Sequence, residues 1–399
     1  MNKKFIVMAA FAALFGMTFT SCSNDDEAIA SGSNDKMETK SIIGFNVVEN
    51  GSTGTRGVPV TSAGAPGSAV LSNFQVWAFD AAGDVYMGST ATSTYDEGDD
   101  AECTGYKVFW DTSLDTPAFN YSPTKYWPTS NLSFVAISPF LDAEVTTVHA
   151  SASTTVSTVE ANVSVPTTVA NQHDIMMAGC ASRGAGAEVG SDATDVSLAF
   201  NHVLSQVRFA ANIAYASNIT KVDIDEITIK KIEPAATISY PSTGTTAANV
   251  TVTLPSPATA WASKAAYSAV IADGEITTKV DGNGTFEDVT SDANQLMLIP
   301  QSVVGTGAAS TLAEATASAT DTKVYLKVCA DVWQGTTKIL AKETPVYIPM
   351  PAEGTGSTWA AGNIYTYRLT FTESLLQPIV FATPTVTAWT GPTNAGLSF

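Results

Sequence analysis

The stretch whose reading decides the fold is Ser41 to Val60, SIIGFNVVENGSTGTRGVPV. In its first half Ile43, Phe45 and Val47 alternate with Gly44, Asn46 and Val48. That period of two predicts a β-strand with one buried face. Its second half, Asn50 to Gly57, is built from Gly, Ser, Thr and Asn with almost nothing apolar, which predicts an exposed loop. Arg56 sits in that loop and is the only arginine before Arg183. A buried strand followed by a single exposed arginine is a strand that a trypsin-like protease can separate from the rest. The plainer alternative is an ordinary first strand and loop.

The 399 residues suggest two domains. Charged residues make up only 14%, and short Val/Thr/Ile/Tyr runs alternate with Gly, Pro, Asn and Ser. That texture predicts an all-β protein of sandwich type. After the leader no stretch shows the 3.6-residue period of a helix. A formal charge of −19 without a basic patch excludes nucleic acid as an expected partner.

The leader begins with Lys3 and Lys4, followed by an apolar run from Phe5 to Phe19. This is long enough for a signal peptide and short for a membrane span. It ends in Phe19-Thr20-Ser21-Cys22, which resembles a bacterial lipobox and implies cleavage after residue 21 with acylation of Cys22. Phe19 departs from the Leu usual there, and a plain secretory signal is the alternative. The acidic tract Ser23 to Glu27 resembles a surface-export signal of lipoproteins, and it is equally compatible with a polar tether. The remaining cysteines, Cys103, Cys180 and Cys329, form no metal pattern and are expected to be unpaired and buried.

Further along, Ser72 to Asp80, Leu132 to Ile137, Val222 to Ile229 and Lys323 to Val332 read as strands, and Val196 to Ile213 as one long strand. Gln295 to Ile299 is a buried run stopped by Pro300. The boundary between two sandwiches is expected near residue 213, with the Ala181 to Asp195 loop as the rival. The expected layout is therefore a leader over 1–21 and a tether plus first strand over 22–56. An N-terminal sandwich over 57–213 and a C-terminal one over 214–399 follow.

Several motifs together resemble a fimbrillin, the subunit of type V pili. They are the lipoprotein leader, Tyr126-Trp127-Pro128, Asp174-Ile175-Met176, Phe200 to Ser205, Leu298 to Gln301, and Trp359 to Tyr365. The resemblance implies two tandem transthyretin-like β-sandwich domains after a lipoprotein signal peptide. It implies a precursor tethered to the outer membrane by its lipid and then carried into an extracellular fimbrium for cell adhesion. It further implies that an arginine-specific extracellular protease cuts between Arg56 and Gly57. The strand bearing Ile43, Phe45 and Val47 then leaves, and its groove takes a strand from another pilin subunit. The donor candidate is the segment 376–399, with Ile379, Phe381, Val386 and Trp389, and its alternative is the last strand of the second domain. Stalk, tip and anchor roles stay open.

Enzyme chemistry is not expected, and neither is a cofactor or a metal. His149, His173 and His202 are far apart and lack a nucleophile motif. Asp281 to Thr285 reads as a hairpin turn rather than a calcium loop. Asp96 to Asp100 reads as a solvated tip. The rival function is a surface lipoprotein that binds a host or dietary glycan, or a host protein, without polymerising; Trp261 and Trp333 are its candidate stacking residues.

Overall fold

The computed structural model describes residues 41–49, 62–63, 70–94, 104–114, 118–139, 144–183, 195–255, 264–280, 284–290, 295–303, 324–350, 356–373 and 379–389. Among them every regular element is a strand, apart from two 3-10 turns, Val169–Asn171 and Ala247–Asn249. Residues 40–399 form one compact unit. Cys22, Arg56, Gly57, Cys103, Trp261, Asp96 to Asp100, Asp281 to Asn283, residues 376–378 and residues 390–399 lie outside the described residues.

Among the described residues, two pairs of large sheets and a small two-stranded one, Ser62–Ala63 with Val70–Leu71, make up the unit. The largest sheet runs in the order Phe45–Glu49, Val196–His202, Met176–Arg183, Leu132–Ser138, Asn73–Asp80, Tyr106–Asp111, Ala118–Tyr121. Strand alternation gives it two apolar faces. From Asn73–Asp80, Phe74, Val76 and Ala78 point to one side while Trp77 and Phe79 point to the other, and all five are fully buried. Leu132–Ser138 does the same with Leu132, Phe134 and Ala136 against Val135 and Ile137. A second sheet covers the Trp77 face, in the order Thr251–Thr253, Ala235–Pro241, Thr158–Ser164, Val145–Ser151, Ser93–Thr94.

The other pair of sheets is built around Ser205–Ala214, parallel to Asn363–Phe371, and Lys221–Ile232, antiparallel to Tyr325–Gln334. Their inner faces extend the Trp77 core without a break, from Phe209 and Ile227 to Tyr367 and Phe371. The opposite face of the first sheet carries a separate core.

Three sequence expectations change here. Val196 to Ile213 is two strands, not one, because the chain passes from the first sandwich to the second at Val203 and Leu204. There Val203 N–H donates to Ile175 at 3.0 Å, and Gly362 N–H donates to Leu204 at 2.9 Å. The crossing therefore precedes residue 213, and among the described residues Ser205–Ala214 pairs only with C-terminal strands. The hairpin strands Ala235–Pro241 and Thr251–Thr253 then return to complete the first sandwich, so the two halves interleave in sequence. Finally, Arg183 ends a strand, opposite Leu132, instead of lying in a Gly/Ala loop.

Buried polar groups tie the two halves together. Gln172 accepts from Met297 N–H at 2.9 Å and donates to Pro166 O at 2.9 Å. Tyr267 donates to Val165 O at 2.9 Å, and Gln301 accepts from Glu233 N–H at 3.0 Å. Gly179 lets the two sheets of the first sandwich approach, since a Cβ there would collide with Pro241 O and stand 2.7 Å from Ser242 O. Backbone cannot move aside as a flexible side chain can. Gly179→Ala is therefore expected to cost about 1–3 kcal/mol, measured as a lowered urea midpoint with an unchanged slope.

Candidate functional site: the first strand and its groove

Phe45–Glu49 is an edge strand, parallel to Val196–His202, with Phe45 opposite Val196 and Glu49 opposite Phe200. Its apolar side chains enter the second core. Ile43 is fully buried and Phe45 nearly so, while Val47 packs partly against it. The Phe45 ring meets Phe74, Tyr121 and Phe134 edge-on, at 5.9, 5.4 and 6.1 Å between centroids. Burying two such side chains stabilises the attachment by roughly 1.5–3 kcal/mol each, and each aromatic pair adds about 0.5–1.5 kcal/mol.

The sheet rolls up so that its far strand, Ala118–Tyr121, comes round to the first strand. Residues just before Phe45 are gripped by this second wall. Ile43 N–H donates to Lys125 O at 2.9 Å, and Trp127 N–H donates to Ser41 O at 2.9 Å. The Tyr121 hydroxyl donates to Ile43 O at 2.7 Å. Burial pushes this phenol up to about 12, so it remains a neutral donor across the physiological range. On the other side Val196 N–H donates to Gly44 O at 2.8 Å. A Cβ at Gly44 would meet the Asp195 carboxylate, the mobile end of a side chain that would have to swing aside.

Without residues 41–49, Val196–His202 would present a row of unpaired N–H and C=O groups. Beside it would lie a trough floored by Phe74, Phe134, Leu198 and Phe200 and walled by Tyr121. This geometry has the form of a strand-binding groove already filled by the chain's own strand.

The fimbrillin-like family matches residues 72–389. The chain belongs to the fimbrillin-like family. A fimbrial protein from Bacteroides vulgatus has 14% sequence identity over 88% of this chain and 99% of its own, with a TM-score of 0.51. A candidate cell-adhesion protein from Bacteroides uniformis has 13% identity over 89% and 100%, with a TM-score of 0.44. The tip fimbrial protein Mfa3 from Porphyromonas gingivalis, truncated at its C-terminus, has 9% identity over 87% and 100%, with a TM-score of 0.34. A search of the curated proteins returned no match. The family is a structural, fimbrial one and not enzymatic, so this fimbrillin-like chain is a pilus subunit or adhesion-related protein of the cell surface.

At the C-terminus, Ile379–Ala388 is an edge strand antiparallel to Asn363–Phe371. Ile379 is buried, Phe381 packs partly against the main core, and Val386 is exposed. Trp389 is buried and stacks on His202 with centroids 4.0 Å apart and planes 2° apart. His202 Nδ1 shares a 2.9 Å hydrogen bond with Asp174, whose carboxyl is pushed up by burial and pulled back by the imidazole. His202 is thus a core histidine that links the strand beside the groove to the end of the C-terminal strand. His149 and His173 lie elsewhere, against Ser151 and Glu144 respectively. Trp333 is half-buried, with Lys221 and Lys338 over its ring at 5.5 and 5.2 Å. Arg208 and Arg368 lie within strands, and Cys329 is buried with its thiol 3.6 Å from Glu226.

Sequence reasoning missed the clasp of Tyr121 and Lys125 and the stack of His202 on Trp389. Only Tyr126-Trp127-Pro128 drew attention to that wall, and nothing local signals the stack. Phe45→Ala is expected to loosen the first strand by about 3 kcal/mol, raising amide exchange at Val196–Phe200 while Asn363–Phe371 stays protected. His202→Ala should instead speed exchange over Ile379–Trp389 and alter Trp fluorescence, leaving residues 41–49 protected.

Proposed function

We propose that this fimbrillin-like chain is a pilus subunit made as a lipoprotein acylated at Cys22 and activated by an arginine-specific protease cutting between Arg56 and Gly57. The strand with Ile43, Phe45 and Val47 leaves, and a strand from another pilin subunit takes its place. The observation that carries this reading is the division of the apolar interior into two cores. The first strand contributes only to the second core, so its loss would bare a groove while the core uniting both sandwiches stays intact. An apolar groove beside an open sheet edge is matched by one kind of occupant, an extended apolar strand. Because donor and groove are different surfaces, the contact need not close, and it builds a fibre.

For the C-terminal segment, pairing of Ile379–Ala388 within its own sheet favours a tip position that accepts a strand. Donation through Ile379, Phe381, Val386 and Trp389 would require that strand to leave Asn363–Phe371 and pull Trp389 off His202. The non-polymerising glycan binder has no comparable support, since lysines flank Trp333.

The test is N-terminal sequencing and intact mass of protein shed from cells. A new terminus at Gly57 together with a ladder of oligomers is expected. Arg56→Ala should abolish both, and Cys22→Ala should abolish lipid labelling of the precursor. An uncut, acylated chain without oligomers, or glycan capture by the uncut monomer, would overturn the pilin reading.

A further inference from the structure

We infer that cutting the loop does not itself open the groove: residues 41–49 stay behind as a non-covalent plug that an incoming strand must displace, entering from the Glu49 end. This rests on the strand-exchange reading and adds a step to it.

The two ends of the segment are held differently. At the Glu49 end the backbone pairs on one side only, with Val196–Phe200, and among the described residues no strand pairs with its other side. At the Ile43 end it is held on two sides. Val196 and the wall formed by Tyr121, Lys125 and Trp127 together make four hydrogen bonds to Ser41, Ile43 and Gly44. Ile43 is also fully buried, whereas Asn46 is exposed. None of these contacts involves the loop 50–57, so severing the loop removes none of them. A strand paired on one side and open on the other can be invaded one residue at a time, each lost pair being replaced at once. The doubly held end offers no such entry and is released last.

Topology adds a consequence. Cys22 precedes the plug in the chain, so a lipid on Cys22 remains with the plug and not with the cut subunit. Until the plug is displaced, the cut subunit is tethered to the membrane through these contacts alone. Release from the cell surface and joining to a neighbour then become one event. A subunit that has been cut but has found no partner is not lost.

The experiment uses the purified full chain, with an unrelated protease site inserted after Gly54 so that the outcome does not depend on Arg56. After cutting, native mass spectrometry and gel filtration should find the N-terminal fragment still bound. A labelled peptide with the sequence of residues 41–49 should then replace it at a rate that rises in proportion to peptide concentration. Shortening that peptide at its Glu49 end should slow replacement more than shortening it at its Ser41 end. Tyr121→Phe should shorten retention in the absence of competitor by roughly three- to tenfold, and Asn46→Ala should leave it unchanged. Loss of the fragment upon cutting, or replacement at a rate independent of peptide concentration, would overturn the plug. Failure of cutting at the native Arg56 would instead count against the strand-exchange reading and leave this result standing.

Discussion

Everything in this fold depends on one sheet having to bury both of its faces. Phe74, Val76 and Ala78 cannot be covered by the same layer that covers Trp77 and Phe79, because successive side chains of a strand point in opposite directions. The second sheet and the C-terminal sandwich cover one face. The other is covered by rolling the sheet onto itself, and the roll closes only where residues 41–49 bridge its two ends. The first strand is therefore the last piece of the second core and places no side chain in the main one. Few positions in a β-protein combine substantial burial with such independence from the rest.

Much of this was legible in the sequence, for a definite reason. Alternation of Ile43, Phe45 and Val47 reports which face is buried, and that information is local. The mostly apolar run Leu132 to Ile137 reports a strand covered on both sides, whereas Ser72 to Asp80 alternates in sequence and yet is buried at nearly every position. What stayed hidden is whatever depends on partners distant in the chain. Nothing near Phe45 says that it pairs in parallel with Val196–His202 or that Tyr121 closes the roll. The break at Val203–Leu204 is invisible because both residues are apolar and buried, so the pattern continues while the sheet changes. The return of Ala235–Pro241 to the first sandwich defeats any single cut in sequence. Arg183 reads as a loop residue because it lies in the Gly/Ala/Ser/Asp stretch Ala181 to Asp195, yet it ends the strand opposite Leu132.

The polar groups at the junction explain why two sandwiches behave as one unit. Gln172, Gln301 and Tyr267 each spend their hydrogen bonds on backbone groups of distant segments, several of them across the junction. Such groups, once buried, are costly to separate, so hinge motion between the halves would leave donors and acceptors unsatisfied. Of the three histidines, His202 fits the same role. It is occupied by Asp174 and Trp389.

The position of His202 has a mechanical meaning. It is the last residue of the strand that borders the groove, and its ring lies flat against Trp389, the residue just after the C-terminal strand. Tension applied to a strand lying in the groove would run along Val196–His202 and load its cross-strand hydrogen bonds in shear, many at once, instead of peeling them singly. From His202 the pull passes through one aromatic face to the edge strand Ile379–Ala388 and its long pairing with Asn363–Phe371. A pull entering at the groove would therefore reach the C-terminal strand through one aromatic stack and not through continuous backbone.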